Sequence, residues 1–229
     1  MTKWLSRLSY KYGRYYISNL ILYIIIGQTA VFAFNFLFPT EQGGIVQFLT
    51  FDRARIFSGE VWRVVSFILV PPNNNPILMV FFMILYYNIG RSLEQTWGGF
   101  YFNVYYFLGV ILAIAGGFIA GYADITFLNM SLFIAFAAIF PNYTLLLFFI
   151  LPVKIKYLAI IDLIGLAILF IISDLSIKLS IALSLVNIVI FFWNDFYPKI
   201  RDKWKYRKVR SNWKKYNRIE STGFNGNLS

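Results

Sequence analysis

The chain has 229 residues, of which 59% are hydrophobic and 14% are charged. A typical soluble domain is nearer half apolar and a quarter charged, so this composition favours an integral membrane protein over a soluble enzyme, a disordered chain or a coiled coil. The chain has neither Cys nor His, which excludes disulfides, thiolate or imidazole metal sites and Ser-His or Cys-His catalytic pairs. We therefore expect no catalytic residue, no cofactor and no metal.

Six apolar segments are each about 20 residues long, the length that a helix needs to cross about 30 Å of hydrocarbon. The sequence thus predicts an all-α polytopic membrane protein with six transmembrane helices. Two more apolar stretches are too short to span, and re-entrant, interfacial and kinked-extension structures stay open for both. These short stretches are 64–70 and 143–151. The six segments are 19–38, 76–93, 100–121, 125–141, 155–173 and 177–196.

Basic residues concentrate at the two ends of the chain. Residues 1–18 carry four Lys or Arg and no acid, and residues 199–220 carry ten. With both termini in the cytoplasm, 17 of the 21 basic residues lie on the inner side, as the positive-inside rule favours. We expect a basic cytoplasmic segment (1–18), a membrane domain (19–196) and a basic tail (197–229) with a disordered end. The expected location is a bacterial cell membrane, with the tail against anionic lipid and no nucleic-acid partner.

The first outer connection, residues 39–63, is the longest one and ends with Trp62 and Arg63. Taken alone, this pair is typical of a membrane interface, with Trp62 among the headgroups and Arg63 on a lipid phosphate. Glu94 lies at the end of the second segment and is expected to accept hydrogen bonds from backbone N–H groups of the next helix. Gly98 permits a tight turn there. Structural roles are therefore predicted for both residues.

The two motifs together resemble the rhomboid superfamily: Trp62-Arg63 after a long first loop, then a helix ending in Glu94-x-x-x-Gly98. The resemblance covers residues 15–196. It implies a bundle of six helices, both termini in the cytoplasm, and access for ligands between the second and fifth spans. Fold resemblance by itself does not establish function.

The catalytic pattern of active rhomboids is incomplete in this sequence. Ser131 stands where their nucleophile would, but Leu132 replaces the Gly that follows it, and the chain has no His. A serine without a base is a poor nucleophile near neutral pH, so Ser131 is expected to be a buried or helix-bonded hydroxyl. The chain resembles an inactive, derlin-like rhomboid, and the polar Pro-rich break at 70–76 adds to that likeness.

This resemblance implies a non-catalytic protein that binds transmembrane segments of client membrane proteins. Asn88, Asn129, Ser131 and Asp162 are the candidate client contacts, because polar groups in a client segment cost free energy in lipid. For Asp162 the simpler interpretation is pairing with a Lys or a helix terminus. Three alternatives stay open: a small transporter or channel that uses Asp162, a residual intramembrane serine protease that uses Ser131, and an anchor for the basic tail.

Ala113, Gly117 and Gly121 recur every four residues in the third segment. Small residues at this spacing let two helices approach closely. Internal helix packing is the favoured interpretation, and contact within an oligomer is the alternative.

Overall fold

A computed structural model describes residues 3–38, 44–147 and 151–191. This part of the chain is mostly helical, with one short antiparallel hairpin and a 3-10 turn at Phe67–Leu69. The predicted tail at 197–229 and the end of the sixth segment lie outside the described residues. The helices are α1 (Lys3–Tyr12), α2 (Leu20–Leu37), α3 (Gly44–Leu49), α4 (Arg53–Phe57), α5 (Arg63–Ser66), α6 (Pro76–Trp97), α7 (Gly99–Ala120), α8 (Thr126–Ile139), α9 (Ile155–Ile172) and α10 (Leu175–Phe191). The strands are β1 (Thr144–Leu147) and β2 (Leu151–Lys154).

Four of these helices, α2, α6, α7 and α9, are long and apolar enough to cross a membrane, which is compatible with an integral membrane protein. The fourth and sixth predicted segments form shorter apolar helices, α8 and α10. Helix α8 has 14 residues, which gives about 21 Å at 1.5 Å per residue. It ends at Phe140, because Pro141 follows and disfavours helical backbone at the residue before it.

The two short apolar stretches fold in different ways. The first forms α5 and the 3-10 turn that follows it, and Gln28 of α2 donates a hydrogen bond to Ile68 O at 3.0 Å. The second begins a β-hairpin, in which Thr144 pairs with Lys154 and Leu146 with Pro152. Pro141 and Pro152 bound this stretch and interrupt a helix. The all-α prediction holds for the described chain as a mostly helical structure, with this short hairpin as the exception.

Helix α7 is the most buried of the four long helices. Its glycines allow side chains of neighbouring helices to approach the α7 backbone closely. Gly109 packs against Leu128 of α8, and Gly116 packs against Leu183 of α10. A Cβ at Gly117 would lie 2.8 Å from the Phe51 ring. These close approaches place α7 at the centre of the bundle.

The predicted small-residue stripe divides into two roles. Ala113 is partly buried against the core, and Gly117 is covered by Phe51 and Ala123. Gly121 was wrongly assigned to packing, because no atom lies within 4 Å of the place where its Cβ would be. Its φ of 90° instead ends α7 in the left-handed conformation, which glycine adopts without strain.

Candidate functional site

The first loop folds around the side chain of Arg63. This residue is 1% exposed, and its guanidinium donates to Gln47 O at 2.6 Å, to Thr50 O at 2.9 Å and to the Glu60 carboxylate. The expected contact with a lipid phosphate was wrong, because three internal acceptors already surround the charge. Trp62 is half exposed, and its indole N–H donates to Phe48 O at 3.1 Å. We call the folded segment 44–69 the loop cap.

The loop cap is fixed to the C-terminal end of α7. Arg53 donates through Nη1 to Phe118 O at 3.0 Å, and its backbone N–H donates to Gly121 O at 3.1 Å. A cation at this position also complements the helix dipole. Phe51 fills the space above Gly117 and makes edge contacts with Phe67 and Phe118. Charge and packing therefore hold the loop cap in one place.

Glu94 and Gly98 connect helices at the opposite end of α7. Glu94 Oε1 accepts from the backbone N–H of Asn19 at 2.9 Å. The expected partner, the next helix, was wrong, since Asn19 precedes α2 and holds a left-handed φ of 55° there. Gly98 is the only residue between α6 and α7, with a φ of 89°, and the turn is as tight as the sequence predicts.

Ser131 lies inside the bundle and is 1% exposed. Its hydroxyl donates to Leu128 O at 2.7 Å and lies 3.0 Å from the Tyr105 hydroxyl. Neither partner is a base near neutral pH. Asn129 is also buried. Neither of these two candidate client contacts reaches the surface in this structure, and Tyr105 of α7 covers Ser131.

Asp162 lies on the side of the bundle where α6 and α9 flank α8. These two helices each pack on α8 and have few contacts with one another. Asp162 shares one face of α9 with Ala159 and Leu166, which are buried. Tyr86 of α6 is within electrostatic range of the Asp162 carboxylate, and Phe82 stacks on Tyr86 at 6.1 Å. We call the region between α6 and α9 that contains Phe82, Tyr86 and Asp162 the lateral opening.

The carboxylate of Asp162 is not neutralised by a neighbour. Its Oδ2 is shielded from solvent and has no hydrogen-bond partner among the residues that the structure describes. The predicted pairing with a Lys was wrong for this part of the chain: Lys156 lies one turn and a half away, with its ammonium 5.0 Å from the Tyr157 ring centre. A buried oxygen without a donor costs free energy and is available to a partner that brings one.

A cavity of about 190 Å³ lies beside α6, next to the C-terminal end of α8 and the hairpin. Asn88 lines it, together with Ile84, Phe136 and Tyr143. The Asn88 side chain is exposed and donates back to Ile84 O at 2.9 Å. Of the four candidate client contacts, Asn88 therefore borders a cavity, and Asp162 is partly exposed. Within the described ranges, no group of three acidic side chains could hold a metal ion.

No family model, no curated protein and no solved structure matches this chain. Its site therefore has to be interpreted from its own geometry.

Several residues of these sites were missed by the sequence analysis. Tyr105 joins three helices, since its hydroxyl meets Ser131 and its carbonyl accepts from Asn187 Nδ2 at 3.2 Å. A signal existed: the four-residue spacing of small residues, extended back from Ala113, reaches Gly109 and then Tyr105. No comparable signal marked Tyr86, which is one of many aromatic residues on apolar helices.

Proposed function

We propose that this protein is a non-catalytic, rhomboid-like membrane protein that binds transmembrane segments of other membrane proteins at the lateral opening. The observation that carries the proposal is the unpartnered carboxylate oxygen of Asp162 between α6 and α9. In the proposed topology, α8 and α10 complete six spans and both termini lie in the cytoplasm.

The recognition chemistry follows from the cost of polar groups in hydrocarbon. A charged side chain in the middle of a client segment costs about 2.5–3.5 kcal/mol on insertion scales. Contact with Asp162 offsets that cost and satisfies the acid at the same time. The expected clients are therefore transmembrane segments that carry a Lys, an Arg or a hydroxyl-bearing residue, and fully apolar segments gain no such advantage.

The length of α8 supports the same site. At about 21 Å it is shorter than a hydrocarbon layer of about 30 Å, and a short span thins the bilayer around it. Helix α8 forms the floor of the lateral opening. A thinner bilayer at this point lowers the cost of holding a polar client group near Asp162.

The absence of His from the sequence and the hydrogen bonds of Ser131 support the non-catalytic part of the proposal. The rhomboid likeness is supported by the Trp62-Arg63 motif, whose arginine holds the first loop around itself. Ser131-dependent cleavage of any substrate by the purified protein would contradict a non-catalytic role.

Site-specific photo-crosslinking in native membranes tests the proposal. Probes at Phe82 and Leu169 border the lateral opening, because Phe82 stacks on Tyr86 and Leu169 lies two turns beyond Asp162 on α9. Phe34 and Ile26 on the exposed side of α2 are matched control positions. We expect recurrent crosslinks to membrane proteins from the first pair only. Crosslinks to lipid alone at all four positions would overturn the proposal.

The Asp162→Asn variant tests the role of the carboxylate. We expect crosslinks from Phe82 to fall several-fold, while Asp174→Asn, an exposed acid beyond the end of α9, leaves them unchanged. Deletion of residues 199–229 should also leave them unchanged, which separates client binding from a tail anchor.

A small transporter is the second candidate, and the same unpaired acid favours it. Solute or ion flux into vesicles that is lost in Asp162→Asn, together with no protein crosslinks, would replace the first proposal with this one.

A further inference from the structure

A separate groove lies between the α1–α2 connection and the exposed face of α7. It is a groove of about 740 Å³, a volume within the usual range of ligand sites. Its walls are mostly apolar, with Phe107 and Ile111 along α7 and Tyr16 on the connection. We call it the α7 groove.

The α7 groove has the depth of one lipid leaflet. It extends along α7 from Phe100 to Ile111, which is about 16 Å at 1.5 Å per residue. Half of a hydrocarbon layer is about 15 Å. Its apolar wall therefore matches the length over which a lipid acyl chain runs beside a helix.

The mouth of the groove is cationic. Arg14 lines it, is exposed, and makes no hydrogen bond or ion pair to the rest of the described chain. No acidic residue occurs in the first 18 residues, whereas Arg7 and Lys11 lie on the adjoining α1. An anion at this position has a cation to bind, and no acidic residue lines the groove.

Asn103 fixes the position of the mouth and adds a polar group to the groove. Its side-chain N–H donates to Ile17 O at 3.0 Å, which ties the connection to α7. Its Oδ1 is buried and has no partner among the described residues. A headgroup hydroxyl carries the donor that this oxygen lacks.

We propose that the α7 groove binds one anionic phospholipid, with its phosphate on Arg14, a headgroup hydroxyl toward Asn103 and an acyl chain along Phe107 and Ile111. Phosphatidylglycerol has all three features. This site shares no residue with the lateral opening, because the α7 groove is lined by α7 and the α1–α2 connection and the lateral opening is bordered by α6 and α9. It also differs from general attraction of a basic surface to anionic lipid, which needs no groove.

Native mass spectrometry of the full-length protein in detergent tests the proposal. Phosphatidylglycerol and phosphatidylcholine with identical chains are titrated in parallel, and inorganic phosphate serves as the headgroup probe. We expect phosphatidylglycerol to be retained about tenfold more strongly than phosphatidylcholine. Equal retention of both lipids, or full displacement of phosphatidylglycerol by phosphate alone, would overturn the assignment.

Charge-matched variants separate the site from a general surface effect. Arg14→Gln should weaken phosphatidylglycerol retention about fivefold or more, from a contribution of about 1 kcal/mol per surface cation plus its hydrogen bonds. Arg7→Gln, which removes the same charge from α1 outside the groove, should change it less than twofold. Equal losses in the two variants would contradict a specific site.

A second pair of variants tests the apolar part and does not depend on Arg14. Val104 lines the groove, and Val104→Trp should fill it and prevent lipid retention. Ile119→Trp places the same side chain at an exposed position near the other end of α7 and should have no effect. Undiminished retention in a folded Val104→Trp variant would show that the lipid binds elsewhere.

Discussion

Arg63 in the loop cap and Asp162 at the lateral opening are both charged side chains in largely apolar surroundings. Arg63 donates from Nε and Nη1 to three acceptors, including the Glu60 carboxylate, and only its Nη2 has no hydrogen-bond partner among the described residues. Asp162 presents a shielded oxygen with no donor among the described residues. The first charge is used to hold a loop in one conformation. The second has one shielded oxygen with no donor in the described chain, and an acid inside an apolar helix is a candidate for a group that meets a ligand.

The same contrast appears in the packing around the two charges. The loop cap fills the space over Gly117 with Phe51, and Arg53 ties it to the last carbonyls of α7. Around the lateral opening, α6 and α9 have few contacts with one another, and Leu169, on the Asp162 face of α9, is exposed. One side of the bundle is specified by many mutual contacts, and the other leaves room for a second helix.

The largest effect on stability is expected when the Arg63 guanidinium, which makes three hydrogen bonds, is removed. Arg63→Met leaves Gln47 O and Thr50 O without donors and should lower the free energy of unfolding by about 3 kcal/mol. Unfolding in detergent, followed by circular dichroism, measures it. Arg55→Met is the control, because the Arg55–Asp52 pair is exposed and worth less than about 1 kcal/mol. Equal decreases in the free energy of unfolding for Arg63→Met and Arg55→Met would show that the buried hydrogen bonds of Arg63 contribute no more than an exposed ion pair.

The packing of the loop cap can be tested at a single glycine. Gly117→Ala places a Cβ against Phe51 and Ala123 and should cost about 1–3 kcal/mol, as overpacking does. The same substitution at Gly165 of α9 meets no atom within 4 Å. It should stabilise the protein by roughly 0.5–1 kcal/mol through helix propensity. If both substitutions changed the free energy of unfolding in the same direction, the packing at Gly117 and at Gly165 would not differ as the structure indicates.

A smaller effect is expected at the junction of α2 and α6. Glu94→Gln weakens the charge-assisted hydrogen bond to the Asn19 N–H and should cost about 1 kcal/mol. Hydrogen exchange at the amides of Asn19 and Leu20 should become faster. Gln95→Ala, at the exposed neighbouring position, should leave both rates unchanged.

The smallest effect on stability is expected at the unsatisfied charge. Asp162→Asn removes no hydrogen bond to Oδ2 in the described chain, so the free energy of unfolding should change by less than about 0.5 kcal/mol, as for ordinary surface changes. The detergent-unfolding assay used for Arg63 reports this value directly. A decrease of more than about 1 kcal/mol in the free energy of unfolding would show that Asp162 has a structural role, as Arg63 does.

The sequence predicted the long apolar helices well, because length and hydropathy suffice to find a span. It also predicted the tight turn at Gly98, since few residues other than glycine adopt such backbone. The hairpin was not predicted: its strands are as apolar as the helices, and only Pro141 and Pro152 distinguish them.

The site was less predictable than the helices. The Trp62-Arg63 motif was found, but its burial depends on Gln47 and Thr50 carbonyls that approach only after the loop folds. Asp162 was identified because an acid in an apolar segment is conspicuous. Its lack of a partner is a property of three-dimensional packing, and spacing along one helix cannot reveal it.

Gly98 has a mechanical consequence for the two helices that it joins. Its N–H donates to Glu94 O and its carbonyl accepts from Phe102 N, so the connection contains no slack. A translation of α6 along its axis would therefore move α7 as well. A change of φ and ψ at Gly98 would instead rotate α6 as a rigid body. Helix α6 has 22 residues and is about 33 Å long. A tilt of roughly 10° about Gly98 would therefore move the Pro76 end of α6 by about 6 Å.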